Sequence, residues 1–372
     1  MVEVIKVESK KQQKEFLNFP LNLYKDNPYF VPPLYMDEKK IFDKNYVYYD
    51  TSEAVYFNAY IDGKMVGRIS AILQHASNDK WNQKRVRFTR FDSIDNQEVA
   101  NALFKAVEDY AKENKMEEIV GPLGFSDLER EGLLIEGFDQ LSTFEEQYNF
   151  DYYQRLIENC GYTKDVDWLE HKLSLKEEST ERYEKYTSML MKRFGWRLVK
   201  EKSTGRFIKK YGDRFFEIID EAYDHLYGTV PITDKVKKMM LANFKLLVDP
   251  RFVAAIVDKE ENVIAIAVCF PSIGPSLQKS SGKLTLPALM KLLKILNKPK
   301  VLDLALIGVV EKYKMKGASS ILFAEFMNIL KRENIEYCET NLTLEENKNI
   351  INQWSNFNAK YHKRRRCFIK KI

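Results

Sequence analysis

Val309-Val310-Glu311-Lys312-Tyr313-Lys314-Met315-Lys316-Gly317-Ala318-Ser319 is the stretch on which the reading of this chain turns. The residues before it, 302–310, are mostly apolar and of strand length. After it, Leu322, Phe326, Ile329 and Leu330 recur at helical spacing. A strand therefore runs through a short loop into a helix. Gly317, followed by the small Ala318 and Ser319, lets the backbone approach a ligand closely. The amides of those residues open the helix, so their N–H groups and the helix dipole offer an anion site suited to a pyrophosphate. Lys314 and Lys316 add positive charge to the same loop.

Working outward, the second half reads as helices over 214–226 and 233–247, then a hairpin of 252–257 and 263–270. A segment of small and basic residues, 271–300, follows, with a helix over 286–296. After the quoted loop and its helix come a strand over 335–342, a helix over 347–357 and a closing strand over 366–372. The first half has the same order. It shows a strand over 2–7, a helix over 11–23 ended by the proline-rich 27–34, and a hairpin of 55–60 and 64–73 turning at Asp62-Gly63. A strand over 86–91 leads to an amphipathic helix over 95–114, with Ala100, Leu103, Phe104, Val107, Tyr110 and Ala111 on one face. A strand at 119–120, a helix over 152–159 and a strand over 168–175 complete it. Two domains are expected, 1–176 and 177–372, joined over 176–210.

The loop resembles the acyl-coenzyme A signature of the GNAT superfamily of N-acetyltransferases. It matches at Val309, Tyr313, Lys316 and Gly317, with Lys314 where the family carries Gln or Arg. It departs at Glu311, where Pro is common, and at Ser319, where Gly or Ala is expected; Ser is small enough to preserve the backbone approach. The resemblance implies two tandem α/β/α domains of the α/β (α+β) class, each with a mixed, mostly antiparallel sheet. It implies acetyl-CoA or another acyl-CoA as co-substrate, held in the C-terminal half by Val309, Val310, Lys314, Lys316, Gly317, Ala318 and Ser319. An acceptor amine would attack the thioester, with catalysis arising from positioning and from a backbone N–H facing the oxyanion. Many relatives place a Tyr on the helix after the fifth strand, a position that is Trp354 here. Asn341 and Tyr361 are then the catalytic candidates, with Glu345 a further polar neighbour.

The first half resembles the superfamily more faintly, at Tyr152–Tyr162. The loop before its long helix has no glycine, and Asp95 with Glu98 reads as a capping box, so this half is expected to lack a cofactor. The glycine-rich stretch 121–139 is a long ordered loop of the kind that carries function. It either packs the fold or lines the acceptor cleft with Phe125, Asp127 and Phe138. The basic run Lys363-Arg364-Arg365-Arg366 reads as an exposed edge strand guarded by charge.

Composition bounds the rest. Across 372 residues, 45% hydrophobic and 30% charged describe globular chains. A net charge of +5 from 59 basic and 54 acidic residues is too small to imply nucleic acid. That also counts against an aminoacyl-tRNA-dependent transferase, one alternative; a non-catalytic binding protein is the other. The cysteines at 160, 269, 338 and 367 form no CxxC pair and the histidines no ligand spacing, so no metal is expected. Lacking an apolar leader or a membrane-length run, the chain is expected in the cytoplasm without a membrane partner. A small-molecule or peptide amine is its expected acceptor.

Overall fold

The structure, a computed structural model, describes residues 1–176 and 180–372. In chain order the first half gives β1 (Val2–Lys6), α1 (Lys10–Leu23), α2 (Tyr35–Glu38), β2 (Ser52–Ile61), β3 (Lys64–Gln74), α3 (His75–Trp81), β4 (Arg85–Ser93), α4 (Gln97–Glu113), β5 (Glu118–Gly121), β6 (Leu133–Glu136), α5 (Tyr152–Asn159) and β7 (Thr163–Ser174). The second gives α6 (Thr180–Phe194), β8 (Arg197–Leu198), α7 (Thr204–Tyr223), α8 (Asp234–Leu247), β9 (Val253–Val257), β10 (Val263–Pro271), α9 (Gly274–Leu277) and α10 (Leu286–Asn297). It ends with β11 (Val301–Val309), α11 (Glu311–Lys314), α12 (Ala318–Arg332), β12 (Tyr337–Thr340), β13 (Thr343–Leu344), α13 (Lys348–Gln353) and β14 (Asn358–Lys371).

Local chemistry explains the boundaries. Ser9 and Gln12 close a capping box at the start of α1. Asp62 and Gly63 both take left-handed backbone, at φ 49° and 73°, which is what a two-residue hairpin turn demands. Along α4, Val99, Ala100, Leu103, Phe104, Val107 and Ala111 are buried, so the apolar stripe read from the sequence is the face that meets the sheet.

The chain forms two compact units. One comprises Met1–Leu169, Ile273–Lys291 and His362–Ile372; the other comprises Glu170–Ser272 and Leu292–Tyr361. They are not contiguous, as a single division at 176/177 would make them, and residues 177–179 at the start of the expected junction lie outside the described residues. In the first unit the strands run β1-β2-β3-β4-β5-β14, and in the second β8-β9-β10-β11-β12-β7. Both series are antiparallel except at one place: β4 pairs parallel with β5, and β11 pairs parallel with β12. The architecture is thus one mixed, mostly antiparallel frame built twice.

The closing strands are exchanged between the halves of the sequence. Residues Phe368–Lys371 at the end of the chain pair with β5, while Lys172 and Leu173 of β7 pair with Glu339 and Cys338. This overturns the reading of the basic run as an exposed edge. Lys363 and Arg365 are fully buried. Arg364 and Arg366 both hold Asp167, and Lys370 reaches Glu108 at 2.6 Å. The glycine-rich stretch receives this strand: β6 pairs with Arg364–Arg366. A Cβ on Gly132 would lie 2.8 Å from that of Arg365, and one on Gly137 would lie 2.3 Å from the His362 carbonyl.

Candidate active site

The fourth strand of each unit carries a β-bulge at the place where the fifth strand leaves it. In the first unit Ser70 pairs with Thr89 and Arg68 with Asp92, so Arg90 and Phe91 stand against Ile69 alone. In the second, Val268 pairs with Leu306 and Cys269 with Leu304, so Ala305 is the extra residue. Bulges bend a strand and end pairing locally. The last β11–β12 pair is Leu304 with Thr340, and β11 then runs on to Val309, leaving a fork.

Two side chains occupy the fork edge of β11. Asn341 Nδ2 donates to the Ala305 carbonyl at 3.0 Å, so this catalytic candidate pins the two strands where they part. The Ile307 amide donates to the Tyr223 phenol oxygen at 3.2 Å. Tyr223, the last residue of α7, was not legible as a site residue. Nothing in its local sequence signals that the α7 C-terminus meets β11.

Beyond the fork, Gly317 takes φ +88° and starts α12 with no side-chain cap. Helical geometry leaves the first-turn amides of Ala318, Ser319 and Ser320 without an intrahelical acceptor. Ala318 is buried, Ser319 and Ser320 are half-buried, and Lys316 is exposed. Lys314 pairs with Glu311 at 2.6 Å; its hydrogen bond and charge hold the Glu311 carboxyl below its usual range. Tyr313 is set edge-on to Trp196 at 5.6 Å, and its hydroxyl reaches Asp258 at 3.4 Å. The quoted loop also answers to packing: a Cβ on Gly317 would lie 2.7 Å from Leu190 Cδ1 of α6. Val309 and Val310 are buried, with the Val310 amide bonded to the Ile264 carbonyl at 3.0 Å.

The corresponding helix of the first unit starts differently. Asn96, not Asp95, is the N-cap of α4, and its Oδ1 accepts from the Glu98 and Val99 amides at 2.9 and 3.4 Å. Asp95 turns instead to Arg155. The first-turn donors that α12 leaves uncapped are thus taken by the chain's own side chain in α4. At this unit's bulge a cavity of about 210 Å³ is lined by Tyr24, Arg68, Arg90, Asp92, Glu38 and Glu129, among others. Two ion pairs cross it, Arg68 with Asp92 at 2.8 Å and Arg90 with Glu38 at 3.1 Å. Burial raises the Glu38 carboxyl pKa, but Arg90 and Arg130 outweigh it and hold the group at about 2.

The remaining candidates are dispersed. Tyr361 is exposed at the start of β14, its ring 5.8 Å from His171. Trp354 is buried edge-on to Phe323 at 5.8 Å, a core residue. Glu345 is half-buried just beyond β13. Phe125 is fully buried, stacked on Tyr48 at 5.6 Å and met by Tyr46 and Tyr49; it packs its loop and has no face open to an acceptor. Phe138 packs partly buried against the first unit's core, and Asp127 is half-buried. Among the described residues, no helix is long and apolar enough to cross a membrane.

Comparison with known proteins agrees with this frame. No family model matches the chain. It is 27% identical to Protein YghO of Escherichia coli K12 over 98% of this chain and 94% of that protein. It is 25% identical to a bacterial ceramide synthase of Caulobacter vibrioides over 76% of this chain and 73% of that one. Among solved structures, a tandem GNAT protein from the clavulanic acid biosynthesis pathway matches at TM-score 0.57 and 10% identity. That match covers 100% of this chain and 98% of that one. This chain has the tandem GNAT fold. Within that fold the bulged fourth strand, the fork and the helix start after it occur twice, and they differ in what each helix start presents.

Proposed function

We propose that this protein transfers an acyl group from an acyl-coenzyme A to the primary amine of a long-chain amino alcohol. The observation that carries the first part is the contrast between two helix starts on one repeated frame. Asn96 caps α4, whereas α12 begins at Gly317 with no side-chain cap. An anion fits the second and not the first. The amides of Ala318, Ser319 and Ser320 would hold the pyrophosphate, with Lys316 contributing charge at the rim. The backbone edge of β11 beyond Leu304 would hold the pantetheine arm, and the first half would bind no cofactor.

The acceptor is argued from the relative named a bacterial ceramide synthase. A ceramide is an amide of a long-chain amino alcohol, so its synthesis joins an activated acyl group to an amine. A bound acyl-CoA supplies that activated acyl group as a thioester. The chain's part is to hold the amine near the fork, to keep water out, and to manage one proton at the Tyr223 phenol. As the C–N bond forms and the C–S bond breaks, the amine loses a proton and the thiolate gains one. A phenol already held by the Ile307 amide is suited to deliver the latter.

The test is calorimetric titration with acetyl-CoA and a long-chain acyl-CoA, followed by amide detection with sphinganine and with a short amine. One acyl-CoA per chain and amide from sphinganine are expected. Ser319→Asp should weaken acyl-CoA binding at least about tenfold while leaving α12 intact, because a carboxylate in the first helical turn favours the helix and repels an anion. Unchanged affinity in that variant would remove the site. Binding without amide from sphinganine would remove the acceptor.

A further inference from the structure

From Asn262 to Leu302 the chain carries no acidic residue and six lysines, at 279, 283, 291, 294, 298 and 300. Helix α10 lies within this stretch. Its apolar residues divide into two sets. Ala288 is buried and Leu292, Ile295 and Leu296 are half-buried, whereas Leu286, Leu289, Met290 and Leu293 are 72%, 39%, 63% and 57% exposed. The exposed set falls at i, i+3, i+4 and i+7, which on a helix is a single stripe. Leu284, just before the helix, is 52% exposed as well. At about 100° per residue, Lys294 falls beside that stripe, Lys291 lies further round the helix, and Lys298 stands just past its last residue, Asn297. Among the described residues no carboxylate pairs with Lys279, Lys283, Lys291, Lys294 or Lys298.

The helix is also held firmly. Arg251 donates to the carbonyls of Leu296 and Asn297 at 3.1 and 3.4 Å, fixing its C-terminal end. Lys291 Nζ donates to the Pro275 carbonyl at 2.6 Å. The exposed leucines are therefore presented on an ordered element.

We propose that α10 docks this protein on the surface of an anionic lipid bilayer. The helix lies in the interface with Leu286, Leu289, Met290 and Leu293 inserted among the acyl chains and the lysines at the phosphates. An amphipathic helix with a basic flank is suited to that boundary, its lysine stems adding apolar contact while the ammonium groups reach the headgroups. The charge pattern selects this occupant over a second copy of the chain. Two copies joined through this face would bring together two lysine-rich stretches neither of which supplies a carboxylate. The proposal revises the expectation that no membrane is among the partners, and it stands whether or not the acyl transfer above is correct.

Flotation of the full-length protein decides it, using vesicles of phosphatidylcholine alone and of phosphatidylcholine mixed with phosphatidylglycerol. Binding to the anionic vesicles is expected, weaker on the neutral ones and falling as salt is raised. Leu289→Asp with Leu293→Asp should lower partitioning at least about tenfold, with a melting curve run alongside to show that the protein stays folded, since Leu293 is 57% and Leu289 39% exposed. Lys294→Glu with Lys298→Glu should remove the preference for anionic lipid. Failure to float with anionic vesicles at low salt overturns the proposal, as does equal flotation of the Leu289→Asp/Leu293→Asp protein. So does a concentration-dependent dimer that this variant abolishes without any vesicle binding, which would give the face to a second copy.

Discussion

Arg366 grips Asp167 with both prongs of its guanidinium, Nε to Oδ1 at 2.8 Å and Nη2 to Oδ2 at 3.1 Å, although the two residues stand 199 positions apart. The Asp167 side chain is fully buried and also accepts from Arg364 at 3.0 Å and pairs with Lys164 at 3.1 Å. One carboxylate thus anchors the end of the chain to the first unit.

Replacing Asp167 by Ala should cost on the order of 2–4 kcal/mol of stability. Removing one partner of a buried pair strands the other, and the arginine heads here retain some solvent access. Burial alone would raise the Asp167 pKa, but the hydrogen bonds from Arg366, Arg364 and Lys164 outweigh it and hold the carboxyl below its ordinary 3.8. The unfolded chain therefore takes up this proton first as pH falls. The stabilisation is full above that ordinary value and is lost as pH drops toward the folded-state one. Chemical denaturation of wild type and Asp167→Asn from pH 6 downward checks this: wild type should lose stability more steeply than the variant at the acid end.

Much of the fold was legible because its signals are local. The turn at Asp62-Gly63 announces the β2–β3 hairpin, and helix α5 spans 152–159 as its apolar spacing predicts. What escaped was what distant partners decide. Lys363–Arg366 read as a solvated edge because nothing nearby in sequence reveals Asp167. Helix α6 was hidden in the charged stretch taken for a junction, although Tyr183, Leu190 and Phe194 already sit on a helical period. At the candidate site the strand–loop–helix and its glycine were legible. The Ala305 bulge and the Tyr223 contact were not, since each depends on a strand register or a helix end that no local pattern encodes.

Asn96→Ala should lower stability by about 1 kcal/mol through loss of the α4 cap. It should leave acyl-CoA affinity unchanged, because the proposed anion site is at α12. Thermal melts and titration on the same preparation test both halves of the statement. A loss of acyl-CoA binding larger than the loss of folded protein would mean that the first half contributes a cofactor site after all.

Gly317→Ala should destabilise the protein by roughly 1–2 kcal/mol from the left-handed backbone alone. The 2.7 Å approach to Leu190 Cδ1 adds to this unless that side chain turns aside. A loss no larger than the backbone cost would show that α6 yields without cost, and a melting temperature equal to wild type would mean that neither backbone nor packing demands a glycine there, leaving ligand approach as its reason. Calorimetry separates the two roles, since packing strain lowers stability with ligand absent, whereas a lost cradle lowers affinity in the folded fraction.

Tyr223→Phe should slow amide formation by about 10²-fold, in the range expected when a positioned proton-transfer group is removed, while acyl-CoA affinity changes little. The phenol oxygen accepts from the Ile307 amide, on the stretch of β11 that runs past the end of β12. Phe preserves the ring and so the packing of the α7 end, but it leaves that amide without its acceptor. The variant's melting curve therefore has to accompany the kinetics. A stability loss with turnover intact would make Tyr223 a strand tether and nothing more. A turnover loss with the fold intact would fit a phenol that delivers a proton to the departing thiolate. If turnover, affinity and stability all match wild type, the fork is not where the amide forms, and Asn341→Ala at the same edge becomes the deciding variant.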